Sequence, residues 1–173
     1  MSSSWTPVGR GIPLLHIDFK PSGRPPAPLR LLVATVLSIG LSLAADAALV
    51  AIGTRVFPST KGYVHFQFHD YARLTVIGIV IACAAWPLVA RVSSTPRWLF
   101  FRLAIVVTVV LLLPDLYILH QGQPARAVYF LMLMHLAIGL ITYNLLVRLA
   151  PVRTAARAAP PAAGAQASTH HPS

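Results

Sequence analysis

Apolar residues run almost unbroken through four stretches, roughly 29–53, 71–92, 98–120 and 126–149, parted by short polar or proline-bearing segments. An α-helix rises about 1.5 Å per residue, so about 20 residues cross the roughly 30 Å of a bilayer's hydrocarbon. Each stretch is long enough. A buried helix of a soluble domain would keep a polar face, and these runs mostly lack one. Strands of a membrane barrel would alternate with period two, and Val106 to Leu113 do not alternate. The pattern predicts an all-α, polytopic membrane protein: a four-transmembrane-helix bundle.

The few polar positions inside the stretches recur at helical spacing. Thr35, Ser38, Ser42, Ala45 and Asp46 share one face of the first helix. Thr75, Gly78, Ala82 and Ala85 share one of the second, and His135, Gly139, Thr142 and Tyr143 one of the fourth. In lipid, small and polar stripes mark the sides that meet other helices. In the third, Pro114-Asp115 stands near the outer end, where the missing backbone donor predicts a kink. Pro58 enforces the exit of the first helix. The loop 54–69 carries His65-Phe66-Gln67-Phe68-His69-Asp70. Extended, it would set His65, Gln67 and His69 on one side and the phenylalanines on the other, as suits a membrane interface. Ser93 to Pro96 is the inner turn, bracketed by Trp86 and Trp98 as interfacial aromatics. Gln121 to Pro124 makes the second outer turn.

Residues 1–28 are rich in Ser, Pro and Gly, and 150–173 in Ala and Pro; both are expected to be flexible arms. Leu31 to Leu43 followed by Ala45-Asp46-Ala47 has the form of a signal peptide and its cleavage site. The apolar run continues through Ile52, so an uncleaved span is expected.

Composition sharpens this picture at three points. The chain is 56% hydrophobic and 10% charged with mean hydropathy +0.69, outside the range of ordinary soluble domains. Its net charge of +10 is spread over helix ends and tails, with no basic helix, which argues against nucleic acid. With a cytoplasmic N-terminus the basic residues divide ten inside (Arg10, Lys20, Arg24, Arg30, Arg91, Arg97, Arg102, Arg148, Arg153, Arg157) against four outside (Arg55, Lys61, Arg73, Arg126). The positive-inside rule then puts both termini in the cytoplasm. Twelve arginines to two lysines, and no glutamate, point to a GC-rich bacterial genome and so to a bacterial inner (plasma) membrane. The lone Cys83 excludes an internal disulfide and reads as a packing residue.

Three of the four acidic residues, Asp46, Asp70 and Asp115, lie in or against the apolar stretches, with Arg73 and His135. Ionisable groups there are a functional-site hypothesis by default. Counted along each helix, Asp46 and His135 lie at similar depth, about 10–14 Å inside the outer boundary, with Asp115 at about 7 Å and Arg73 shallower. Asp46 is therefore expected to meet His135, and Arg73 to meet Asp115 or Asp70, because an unpaired charge in hydrocarbon costs several kcal/mol. Asp70 also reads as an N-cap of the second helix. Asp46, Arg73, Asp115 and His135 are the candidate ligand or proton site. No CxxC or HExxH spacing marks a metal, and His135 is the only histidine well inside a span, which disfavours haem. Catalytic motifs such as G-x-S-x-G are missing, so no enzyme and no cofactor is expected.

Pro114-Asp115-Leu116, followed after a glycine-bearing turn by a helix with His135, resembles a family of uncharacterised small four-span membrane proteins common in actinobacteria, a domain of unknown function. The likeness covers roughly 29–149. It implies an architecture and carries no activity, cofactor or partner. The expected role is a non-enzymatic accessory or scaffold subunit, with the bilayer and a protein partner or second copy as neighbours. The alternative is a small transporter or binding protein with an outward-facing site.

Overall fold

Each helix starts or stops where its backbone chemistry requires. In the computed structural model, which describes residues 23–154, α1 (Pro28–Val56), α3 (Pro96–His120) and, after Pro124, α4 (Ala125–Leu149) open at proline. Proline's fixed φ suits a first turn, whose N–H groups have no helical acceptor. Only α2 (Phe68–Val92) opens otherwise, after Gln67. Gly62 (φ +82°) and Gly122 (φ +84°) turn the chain at the α1–α2 and α3–α4 connections, in a backbone region that side chains resist. This end of the bundle, away from both ends of the described chain, is named outer from the charge pattern alone. The long terminal arms called from sequence fall mostly outside the described residues.

All four helices are long and apolar enough to span a membrane, with mean hydropathy between 2.0 and 2.3 over their best windows. A helix satisfies its own backbone, which hydrocarbon demands. Packing is uneven: α1 lies most extensively against α4, α3 leans mainly on α4, and α2 on α1. The two-residue ladder of β1 (Gly23–Arg24) with β2 (Arg153–Thr154) joins the chain just before α1 to the chain just after α4. Both ends of the described chain therefore leave the bundle on the same side.

The inner half holds the apolar core, built on Ala34, Ile79, Cys83, Trp86, Val89, Phe100, Leu146 and Ala150. Trp86 is fully buried and donates its indole N–H to the Ala150 carbonyl at 2.7 Å. It is not the interfacial aromatic its position near the helix end suggested; the inner end of the bundle needs a large filler and Ala150 leaves a carbonyl to satisfy. Phe100 packs on Trp86 at 4.8 Å between centroids and stacks on Tyr143 at 6.0 Å. Trp98 is half-buried, with the Arg102 guanidinium 3.3 Å over its ring.

Two further expectations change. The outer loop is not extended: it folds into short 3-10 turns at Pro58–Thr60 and Val64–Phe66, which bury Thr60 and Phe66. On α2 the buried face runs through Thr75, Ile79, Cys83 and Trp86, whereas Gly78 is exposed with open space where a Cβ would stand. Volume, not smallness, decided which side of α2 packs.

Candidate functional site

The outer half of the bundle is polar where the inner half is apolar, and each helix contributes one side chain. On α1 the buried face is Ala34, Ser38, Ser42, Asp46 and Gly53, so Asp46 continues a stripe that points at the neighbouring helices. Its carboxylate is fully buried, and Oδ2 accepts the Thr75 hydroxyl of α2 at 2.8 Å. Between the other two helices, the His135 Nδ1 of α4 stands 2.9 Å from Asp115 Oδ2 of α3. One link ties α1 to α2, the other α3 to α4.

The histidine contact places a proton on Nδ1. That nitrogen also lies 3.1 Å from the Leu131 carbonyl, one turn back on its own helix. A ring nitrogen facing two oxygen acceptors carries a proton whether the imidazole is neutral or charged. Asp115 Oδ2 has no well-aligned hydrogen bond although the imidazole lies within 3 Å, so the contact with His135 is ionic more than directed. The Asp115 side chain is 5% exposed and the His135 side chain 26%. Asp46 lies within electrostatic reach of the same imidazole without touching it.

Below and above these pairs run polar atoms with no hydrogen-bond partner: Asp46 Oδ1, Ser42 Oγ, Ser38 Oγ and Thr142 Oγ1 within the helices, and the Tyr63 hydroxyl in the outer loop. Burial, and then the negative charge of Asp115, push the Tyr63 phenol above its ordinary pKa. The mouth above is closed by packing. Thr60 donates to the Phe57 carbonyl at 2.8 Å, Phe57 meets Phe130 edge-on at 6.3 Å, and the Arg126 guanidinium lies 4.7 Å over the Phe57 ring. Gly53 is required beneath, since a Cβ there would stand 3.2 Å from the Phe130 ring.

The structure brings together three of the four candidates and exchanges their partners. Asp115, not Asp46, meets His135, because α3 packs on α4 at this level while α1 presents Asp46 to α2. Arg73 joins neither Asp115 nor Asp70 and makes no ion pair among the described residues; it is exposed. It precedes Thr75 by two residues, about 200° around a helix, so turning Thr75 inward turns Arg73 outward. Asp70 contacts His69 at 3.3 Å and stands in the first turn of α2, whose cap is Gln67 with no side-chain bond, so Asp70 is not the cap. Thr75 and Tyr63 complete the site although neither was assigned to it from sequence. Thr75 stood in the small-residue stripe of α2; Tyr63 had no signal beyond its place beside Gly62. Among the described residues no group of three His, Cys, Asp or Glu side chains is disposed to hold a metal ion.

Four membrane-length helices closed around buried ionisable side chains define a polytopic helical membrane protein. The chain belongs to the family of unknown function DUF6069, whose model matches residues 22–152. No curated protein and no solved structure matches it.

Proposed function

We propose that this chain is a non-enzymatic accessory or scaffold subunit of a bacterial plasma membrane, with both termini cytoplasmic, whose buried polar residues hold four helices in one register. The observation that carries this reading is that Asp46, Thr75, Asp115 and His135 come one from each helix and meet in two interhelical contacts. Apolar side chains slide past one another in lipid at little cost, whereas a polar group must find its own partner or remain unsatisfied. Such links define which helix faces which. Ten basic residues on one side against four on the other support the cytoplasmic assignment, and that basic face suits an acidic protein partner or anionic lipid.

The test is site-specific photocrosslinking in native membranes, with probes at Arg91 and Arg148 on that face. A discrete adduct with another protein or a second copy supports the subunit role. Adducts with lipid alone overturn it.

A second reading, a small transporter or binding protein opening outward, is favoured by one observation: Asp46 Oδ1 is buried with no partner, which a finished structural clasp would not leave. Uptake or binding that is lost in Asp46→Asn, in a bundle that still folds, is the result expected from that reading.

A further inference from the structure

The charges of the outer cluster do not balance. Two carboxyl groups, Asp46 and Asp115, face one imidazole, His135, and the imidazole is in contact with Asp115. The groups around Asp46 are, from α2, the Thr75 hydroxyl and the nearby Tyr71 phenol, and from α4, His135, which in turn contacts Asp115 of α3. The Tyr63 phenol of the outer loop lies over Asp115 rather than Asp46. The one cation close by in sequence, Arg73, is turned to the outside. An ionised Asp46 would be a fully buried anion whose Oδ1 accepts no hydrogen bond, in a bundle surrounded by hydrocarbon. Such a charge is strongly disfavoured, and the group takes up a neutralising partner.

We propose that Asp46 is a proton-binding site: Oδ1 carries a proton in the folded bundle, and Oδ2 remains the carbonyl oxygen that accepts the Thr75 hydroxyl. No other bond is made or broken, and the proton comes from and returns to water on the outer side. The half-buried His135 is the most accessible member of the cluster and its route of exchange.

An alkali cation fits the site less well. It needs several oxygen ligands at once, and the neighbours that Asp46 offers are one hydroxyl already spent on Oδ2, the nearby Tyr71 phenol and an imidazole, which supplies no oxygen. The unpartnered hydroxyls of Ser42 and Ser38 follow one and two turns inward, about 6 and 12 Å along α1. With Thr142 they extend the polar lining toward the middle of the bundle. It ends there. Trp86, Phe100 and Tyr143 fill the inner half, so the column is blind and Asp46 holds a proton rather than passing it across the membrane. This assignment is independent of the accessory role.

The experiment is infrared spectroscopy of the full chain in lipid nanodiscs at neutral pH. Expected are a protonated-carboxyl C=O band that shifts in D2O, disappears in Asp46→Asn, and moves to higher wavenumber in Thr75→Val, which removes the hydrogen bond to that carbonyl. Thr75→Val keeps the side-chain shape and carries the test if Asp46→Asn does not fold. The proposal is overturned if the band is absent, or if it survives in Asp46→Asn or is unmoved in Thr75→Val. It is equally overturned if replacing choline chloride by sodium chloride abolishes the band, since the site then takes a cation in place of a proton.

Discussion

His135→Gln is the substitution that weighs most directly on the link between α3 and α4. It keeps a hydrogen-bonding side chain of similar reach but removes the one basic group that, among the described residues, contacts Asp115, whose side chain is 5% exposed. In a soluble interior, orphaning one member of a buried ion pair costs about 3–5 kcal/mol. Hydrogen bonds between membrane helices average only about 0.6 kcal/mol, with a maximum near 1.7, because the unfolded chain in lipid also finds partners. The His135 side chain is 26% exposed, so its contact with Asp115 is not fully enclosed, which discounts the soluble figure. An intermediate loss of about 2 kcal/mol follows. Asp115→Asn should cost less, about 1 kcal/mol, because a neutral imidazole N–H still has an amide oxygen to approach and no charge is left bare. The double variant should then lose less than the sum of the two, by about 1 kcal/mol. Reversible unfolding in mixed lipid–detergent micelles measures all three. If the two losses simply add, or if His135→Gln is neutral, the contact is not an energetic link and the reasoning fails.

Gly139→Ala on α4 would bring a Cβ to 2.8 Å from the Thr108 hydroxyl of α3, so it should destabilise by about 1–3 kcal/mol, with most of that recovered in Gly139→Ala/Thr108→Ala by the same unfolding assay. Trp86→Phe leaves the Ala150 carbonyl buried without its donor and should cost about 1–3 kcal/mol; amide exchange should accelerate at the end of α4 before it does in α1. The Tyr63 phenol, raised by burial and then by Asp115, should ionise above the usual value of about 10 in an ultraviolet titration compared with Tyr63→Phe. Its folded pKa lies above its unfolded one, so this contribution to stability is complete below about pH 10 and is lost as pH rises through the folded value.

Much of the site was legible because polar residues in apolar runs are conspicuous. Asp46, Asp115 and His135 stand out on that ground alone, and all three converge. What could not be read was who meets whom. Depth counted along each helix put Asp46 opposite His135, but depth is one coordinate of three. The rotation of each helix about its axis and the order of helices around the bundle supply the others. Gly78 and Trp86 mislead for a related reason. A small residue permits close approach without requiring it, and a tryptophan near a helix end serves equally as an interfacial anchor or a core plug.

The sequence by itself determined the number of spans, their approximate limits, the helical class and the polar faces of α1 and α4, because a bilayer imposes length and hydropathy on each helix separately. The tertiary structure alone decided the pairing of Asp46 with Thr75 and of Asp115 with His135, and the outward turn of Arg73. It also decided the burial of Trp86 against Ala150 and the fold of the outer loop over Tyr63. These depend on how the helices rotate and stack against one another. That is settled by the volumes filled and the hydrogen bonds satisfied at every interface together, a sum that no single stretch of the chain contains.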